Sequence, residues 1–158
     1  RPTVIRYSKD PMPDDICVVA SHDGLDVLRD GPEDGILLVA HGQLCAQALA
    51  AVDQLDAPVR VVSPRWSLPV CEGLIEEAAN ARAVVSVEDG LVVSGLGSHL
   101  ADALSERGVW RPIRNLGIPQ RYLDHDSRSA IMAELGLDAR GIADAVSQLV
   151  TQFGSASS

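Results

Sequence analysis

Two basic side chains near the start of the chain could bind an anion. Arg6 and Lys9 stand close together in a chain whose formal net charge is −9. A guanidinium can hold a phosphate group through two parallel hydrogen bonds. Local positive charge on an acidic background therefore predicts an anion site. The alternative is an arm whose cations are solvated or paired with neighbouring acids.

Charged side chains also follow apolar segments that are typical of buried strands. Glu88 and Asp89 come directly after residues 83–87, and Arg65 comes shortly after residues 59–62. Ligands of open α/β sheets collect at the carboxyl ends of the strands. Glu88 is therefore the acidic candidate for a ligand site. The alternative is that it caps a helix or forms an ion pair between subunits. Arg65 is expected at the same edge.

Two further patterns suggest ligand sites but lack the required spacing. Residues 94–100 follow a strand and open a helix, yet Leu100 stands where the dinucleotide fingerprint G-x-G-x-x-G has its third glycine. Asp124, His125 and Asp126 are adjacent, so their side chains cannot all converge on one metal ion. We predict a closely packed glycine loop and a solvated polar loop, with no catalytic residue and no metal site in this chain.

The elements that must position these residues alternate between strand and helix. Apolar runs predict strands at residues 16–20, 25–29, 36–40, 59–62, 83–87 and 112–116. Apolar stripes predict helices over residues 44–55 and 72–81, and three more that are capped by Ser98, Ser127 and Asp138. This alternation predicts an α/β fold: an open, mostly parallel sheet with helices on both faces and an antiparallel hairpin or edge from the N-terminal arm. The domain is expected at residues 16–153, after a linker at residues 1–15 and before a disordered tail at residues 154–158.

Charge and composition exclude several classes of partner. An acidic surface repels phosphate backbones and anionic lipid headgroups, so we expect neither nucleic acid nor membrane as a partner. No apolar run approaches the ~20 residues of a membrane span, and no signal peptide is visible. Cys17, Cys45 and Cys71 show no paired spacing, which predicts small core side chains in a reducing cytoplasm. The chain starts at Arg1 and its first methionine is Met12, which predicts a piece of a longer protein.

Four segments of the chain resemble the C-terminal domain of transketolase-type enzymes. Three of them are shared across that superfamily: residues 3–9 (T-V-I-R-Y-S-K), residues 62–69 (V-S-P-R-W-S-L-P) and residues 84–98, with V-E-D-G and G-L-G-S. The fourth, residues 115–128 (N-L-G-I-P-Q-R-Y-L-D-H-D-S-R), continues into A-E-L-G-L-D and resembles a segment of the 1-deoxy-D-xylulose-5-phosphate synthase family. Ser8-Lys9-Asp10 stands where the family has Pro-Arg-Gly, and Ser94 stands where it has a glycine.

The resemblance implies a fold, a reaction and a division of labour. The fold would be that of transketolase C-terminal domains. The parent enzyme would use thiamine diphosphate and Mg²⁺, both held by other domains, to condense pyruvate with glyceraldehyde 3-phosphate, releasing carbon dioxide and feeding isoprenoid synthesis. This domain would hold no cofactor, support a homodimer and rim the substrate channel, where Glu88, Arg65 and His125 are the candidate channel or interface residues. By motif position, Arg6 would bind the substrate phosphate in the full-length parent.

Two rival interpretations remain open from the sequence. One is another enzyme of the superfamily, such as transketolase or the beta subunit of a 2-oxo acid dehydrogenase. Residues 115–126 argue against it, because their pattern is that of the synthases. The other is a non-catalytic flavodoxin-like binding module. His41-Gly42-Gln43, after the first long apolar run, lacks the serine, threonine and glycine expected of such a phosphate loop.

Overall fold

The computed structural model describes residues 15–153. Arg6, residues 1–14 of the expected linker and the expected tail at residues 154–158 lie outside the described residues. The strands are β1 (Ala20–His22), β2 (Leu25–Arg29), β3 (Ile36–Ala40), β4 (Val59–Pro64), β5 (Ala83–Leu91) and β6 (Ile113–Ile118). The helices are α1 (Leu44–Val52), α2 (Glu72–Asn80), α3 (Leu96–Glu106), α4 (Arg128–Glu134) and α5 (Ala139–Phe153). Among these helices none is both long and apolar enough to cross a membrane.

The strands form one sheet in the order β1-β2-β4-β3-β5-β6. β3 pairs in parallel with β4 and β5, and β5 pairs in parallel with β6. β1 pairs antiparallel with β2, and β2 pairs antiparallel with β4. The prediction of a mostly parallel sheet with an antiparallel edge is therefore confirmed, and β3 is its centre.

The side chains of β3 explain why helices cover both faces of the sheet. All five residues of β3 are buried, and successive side chains of a strand point to opposite faces. Leu38 and Ala40 pack with α1, α4 and α5 on one face. Leu37 and Val39 pack with α2 and α3 on the other. The prediction of helices on both faces is confirmed. A strand that is apolar on both faces needs a layer of apolar side chains against each of them.

Beyond shifts of one to three residues at the ends of other elements, three details differ from the sequence-based predictions. The first strand begins at Ala20 rather than at residue 16, and Val18 and Val19 are exposed within the described structure. β5 continues past Val87 to Leu91, so Glu88 and Asp89 lie inside a strand rather than after it.

The third difference is the start of α3. Its N-cap is Gly95, not Ser98. The Ser98 hydroxyl instead donates to the carbonyl oxygen of Val92 at 2.9 Å, which fixes the preceding loop against the helix. The other two predicted caps are confirmed: the hydroxyl of Ser127 accepts from the amide of Ala130, and the carboxylate of Asp138 accepts from the amide of Gly141.

The three cysteines differ in burial. Cys45 is buried on α1 and Cys71 is partly buried, as expected of small core side chains, but Cys17 is exposed because it precedes the first paired strand. Burial raises the pKa of the Cys45 thiol, although a hydrogen bond with Ser63 acts in the opposite direction. The Cys45 thiol is therefore a packing group rather than a nucleophile.

A buried ion pair fixes β4 against α2. The Arg60 guanidinium donates from Nε and Nη2 to the two carboxylate oxygens of Glu77, each at 2.8 Å, and both side chains are about nine-tenths buried. Asp30 pairs with the same guanidinium. These carboxylates raise the pKa of Arg60, with its hydrogen bonds to Glu77 as the largest cause. Two parallel hydrogen bonds set the geometry as well as the energy of this contact.

Close contact between α3 and the sheet depends on Gly97. A Cβ atom at this position would overlap both the Ser86 hydroxyl of β5 and the Asn115 side-chain oxygen of β6. The Ser86 hydroxyl donates to that Asn115 oxygen at 2.8 Å. The first turn of α3 therefore lies directly on a polar bridge between two strands, and only glycine leaves room for it.

We expect Gly97→Ala to destabilise the chain by about 1–3 kcal/mol, because an added methyl group forces the helix away from the sheet. Urea denaturation followed by circular dichroism measures the change. The same substitution in a Ser86→Ala, Asn115→Ala background should cost clearly less relative to that background. An equal cost in both backgrounds would show that the contact with Ser86 and Asn115 does not set the effect, since helix propensity alone favours alanine.

Candidate functional site

The carboxyl ends of four neighbouring strands bring polar side chains together. His41 follows β3, and its amide donates to the carbonyl oxygen of Val87 in β5 at 3.1 Å. On the other side, its Nε2 lies 2.7 Å from the hydroxyl of Ser67, in the loop after β4. Through its amide and its imidazole, His41 thus connects the end of β3 to β5 and to the loop after β4. Its Nδ1 is buried and has no hydrogen-bond partner in the described structure.

Asp89 of β5 is held by an arginine from a distant part of the chain. Arg128, the first residue of α4, donates to Asp89 Oδ2 at 2.9 Å and to the side-chain oxygen of Gln43 at 3.2 Å. The second carboxylate oxygen of Asp89, Oδ1, is buried without a hydrogen bond among residues 15–153. A buried acceptor without a donor is costly, so this edge contains a contact that the described residues do not complete.

Glu88 lies on the opposite face of β5 from Asp89 and is the more buried of the two. Its relative exposure is 9%, and it makes no hydrogen bond or ion pair within residues 15–153. Its carboxylate contacts Gly90 and Gly95, and a Cβ atom at Gly95 would overlap it. Gly95 is the N-cap of α3, so the positive end of that helix partly offsets the buried negative charge. The structure thus places the predicted candidate Glu88 at the carboxyl edge, in close contact with a helix N-terminus.

Arg65 lies at the same edge but is turned towards β2. Its guanidinium pairs with Asp26 at 3.1 Å, and its amide donates to the carbonyl oxygen of Gly24. The Ser21 hydroxyl donates to the same carboxylate oxygen of Asp26 at 2.6 Å. Arg65 therefore fixes the antiparallel edge to the sheet and does not meet Glu88.

His125 lies on the exposed loop after β6. Nearby Tyr122 is fully exposed, and Arg121 of the same loop pairs with Glu134 at 3.3 Å. The Asp126 side chain accepts from the amide of Ser127. Within residues 15–153 no group of three His, Cys, Asp or Glu side chains could hold a metal ion.

Four polar residues with contacts at this edge were not predicted from the sequence as site residues: His41, Gln43, Ser67 and Arg128. A signal existed for His41, because a polar residue directly after a fully apolar run stands at the carboxyl end of a strand. None existed for Arg128, which lies 39 residues from Asp89 in the chain. Their contact depends on the path of α4 over the sheet.

Ser67 and His41 are the one nucleophile–base pair that the contacts at this edge suggest. Ser67 and His41 are close enough for a nucleophile and its base, but such a base needs a third group that orients its other ring nitrogen. His41 Nδ1 has no such partner in the described structure. What the edge does offer is hydrogen-bonding capacity on Glu88, Asp89 and His41 that is still open, and these groups suit a partner with hydrogen-bond donors.

Comparisons with known proteins agree on one family. Residues 25–142 match the family model described as "Transketolase, C-terminal domain". The chain is 91% identical, over 97% of its length, to a 1-deoxy-D-xylulose-5-phosphate synthase of Cutibacterium acnes, and 42% identical, over 96%, to a 1-deoxy-D-xylulose-5-phosphate synthase 2 of Streptomyces avermitilis. In both cases the chain spans only 24% of the relative's length.

Solved structures agree with this result. A split gene transketolase in an inactive beta4 tetramer matches with a TM-score of 0.70 and 30% identity, over 85% of this chain and 44% of that one. A transketolase from Leishmania mexicana matches with a TM-score of 0.56 and 18% identity, over 86% of this chain and 19% of that one. The second likeness is one of fold alone.

The contact between Arg65 and Asp26 predicts an acid-dependent part of the stability. The hydrogen bond from Ser21 and then that from Arg65 lower the pKa of Asp26 below its usual value. A carboxyl group with a lowered folded-state pKa stabilises the fold above its unfolded pKa of about 3.9, and this contribution disappears as the pH falls through the lower folded value. Asp26→Asn should therefore lower the free energy of unfolding at pH 7, by up to about 1 kcal/mol for so exposed a pair. The difference from wild type should shrink below pH 4.

Urea denaturation between pH 7 and pH 2.5 measures this difference. Ser21→Ala serves as the control, because it removes one of the two donors and should reproduce part of the effect. A difference between wild type and Asp26→Asn that stays constant over the whole pH range would contradict the assignment.

Proposed function

The chain belongs to the transketolase C-terminal domain family, and from this we propose that it is the C-terminal domain of a thiamine-diphosphate-dependent 1-deoxy-D-xylulose-5-phosphate synthase. The observation that carries the proposal is 91% identity to such a synthase over nearly the whole chain. The parent enzyme condenses pyruvate with glyceraldehyde 3-phosphate, with loss of carbon dioxide, and feeds isoprenoid synthesis in the cytoplasm. Identity of 30% to a split gene transketolase makes that branch of the superfamily the weaker candidate.

The domain supports catalysis without performing it. A diphosphate needs cations or free amides around it, but Arg65 and Arg128 of the carboxyl edge already pair with Asp26 and Asp89. The carboxylate of Glu88 lies against the N-terminus of α3. No set of side chains in the described part could hold Mg²⁺. Residues 15–153 therefore do not fit thiamine diphosphate or its metal, and in the proposed enzyme both belong to the preceding domains.

The proposed role is to rim the substrate channel and to support a homodimer of the parent. Glu88 and Arg65 lie at the carboxyl edge and His125 on the loop after β6, where side chains could contact other domains or substrate. The split gene transketolase is described as an inactive beta4 tetramer. This description supports the idea that a chain with this domain, separated from the rest of its enzyme, can assemble without being active.

The isolated chain should bind neither thiamine diphosphate nor Mg²⁺ and should produce no 1-deoxy-D-xylulose 5-phosphate, because the carbanion chemistry belongs to a cofactor that other domains hold. Isothermal titration calorimetry with both cofactors measures binding, and the full-length parent serves as the positive control. A clear micromolar isotherm for the isolated chain would refute this division of labour.

Arg6 is the residue proposed to bind the substrate phosphate. In the full-length parent, Arg6→Ala should lower kcat/KM for glyceraldehyde 3-phosphate roughly ten- to a hundredfold, because a guanidinium–phosphate contact contributes about 1.5–3 kcal/mol. Use of pyruvate should change far less. Arg6→Lys should recover only part of the loss, since an ammonium group keeps the charge but not the paired hydrogen bonds.

Steady-state kinetics with each substrate varied separately tests this role. Arg140→Ala is a suitable control, because Arg140 is an exposed arginine on α5 without a charged partner in the described structure. Asp10→Asn reports whether the neighbouring acid competes for Arg6. Unchanged kinetics of Arg6→Ala with glyceraldehyde 3-phosphate would show that Arg6 is only a surface cation.

A further inference from the structure

Residues 65–69, which follow β4, are exposed along their whole length, and we name them the rim loop. Trp66 is 73% exposed and Leu68 is 50% exposed. A segment that buries so little apolar surface keeps one conformation only through specific polar contacts. The contacts of the rim loop therefore decide where its side chains lie at the carboxyl edge of the sheet.

Polar contacts hold the rim loop on each side of Trp66. The amide and the guanidinium of Arg65 bind the antiparallel edge and fix the start of the loop. The Ser67 hydroxyl lies 2.7 Å from Nε2 of His41 and fixes the middle of the loop to the end of β3. Residues 66–70 make no other hydrogen bond within the described part of the chain. The contact with His41 is therefore what holds the loop towards the centre of the sheet.

His41 is a firm point of attachment for the loop. Its amide donates to the carbonyl oxygen of Val87 in β5 at 3.1 Å, and α1 begins three residues later at Leu44. The other ring nitrogen, Nδ1, is buried and has no hydrogen-bond partner among residues 15–153. Within these residues the imidazole therefore acts on its surroundings through Nε2, and its effect passes to Ser67.

The two ring nitrogens of His41 can be distinguished by substitution. A glutamine side chain carries its terminal amide close to the place of Nε2, whereas the shorter asparagine side chain ends near the place of Nδ1. Glutamine at position 41 therefore keeps a hydrogen-bonding group beside Ser67, and asparagine does not. Both replacements are neutral and polar, so they differ mainly in reach.

We propose that His41 is a positioning residue of the substrate channel, which acts by holding the rim loop through Ser67. Its effect on the reaction passes through this loop, whose Arg65 and Trp66 it keeps at the rim. A loop held in one conformation binds substrate without first having to be ordered. This inference deepens the proposed function and rests on it, because the proposed function is what assigns the carboxyl edge to the channel.

Steady-state kinetics of the full-length parent test the positioning role. His41→Asn and Ser67→Ala should each raise KM for at least one of the two substrates about three- to tenfold, as expected for the loss of one hydrogen bond. kcat should stay within about twofold, because the rim contributes to binding rather than to the chemical step. His41→Gln should stay close to wild type, since it keeps a group at the place of Nε2.

A double variant shows whether His41 and Ser67 act through one contact. His41→Asn combined with Ser67→Ala should have the KM of the single variants, because both changes remove the same hydrogen bond. Ser105→Ala changes an exposed serine at the far end of α3 and is the matched control, which should keep wild-type values. An unchanged KM for both substrates, effects that multiply in the double variant, a loss confined to kcat, or a glutamine variant as impaired as the asparagine variant would each overturn the proposal.

Limited proteolysis of the parent reports on the loop itself. Chymotrypsin cleaves after tryptophan, and Trp110, which precedes β6 at the opposite end of the sheet and is 82% exposed, is the internal reference for Trp66. His41→Asn should raise the rate of cleavage after Trp66 severalfold relative to that after Trp110, and His41→Gln should not. An unchanged ratio in His41→Asn would show that His41 does not hold the loop. If both rates rise, this variant is unfolded, and an unchanged KM of Ser67→Ala would then overturn the proposal.

These outcomes are separable from those of the proposed function. A parent that makes 1-deoxy-D-xylulose 5-phosphate with a wild-type KM in every variant would refute the positioning role alone. A parent that lacks this activity would refute the proposed function, and the ratio of the two cleavage rates would still show whether His41 holds the rim loop.

Discussion

The burial of β3 on both faces is the constraint on which the rest of the structure depends. Ile36–Ala40 contains no polar side chain, so neither face of the strand can meet water. Parallel neighbours cannot be reached by a tight turn, and the chain crosses back through helices that then cover these faces. Polar groups are consequently displaced to the two ends of the strands. The contacts of His41 with Ser67 and of Asp89 with Arg128 at the carboxyl ends are a result of this exclusion.

The close packing of α3 buries polar side chains at the carboxyl end of β5. Gly97 and Gly95 let the helix approach β5 until Ser86 and Glu88, two residues apart on one face of the strand, are buried beneath its first turn. The same contact leaves Glu88 only 9% exposed, with its carboxylate against Gly95, the N-cap of α3. The positive end of that helix favours the negative charge of the carboxylate.

The strands of the centre could be predicted from the sequence because their physical signal is local. An unbroken apolar run identifies β3, and mainly apolar runs rich in valine identify β4 and the first part of β5, without knowledge of their partners. The prediction failed for residues 16–19, whose Val18 and Val19 suggest a strand but are not covered by residues 15–153. For Ser98 it failed because the hydroxyl has a second possible acceptor, the carbonyl of Val92, which only the folded loop provides.

In the candidate site, too, the position of a residue could be predicted from the local sequence, whereas its contacts could not. Position at the carboxyl end of a strand identified Glu88 and Arg65, but the direction of each side chain depends on partners far away in the chain. Asp26, on an antiparallel strand, holds Arg65 away from the centre of the edge.

The distribution of charge supports the proposed role of this domain as a part of a larger protein. The chain carries 22 acidic and 13 basic residues, and its arginines are mostly engaged in pairs that fix one element to another, as Arg60 fixes β4 to α2. A domain that commits its cations to its own structure retains few for a phosphate-bearing cofactor or substrate. Its excess carboxylates repel such ligands but attract cationic segments of protein. This balance of charge supports the proposed role of the domain in contacts with other domains.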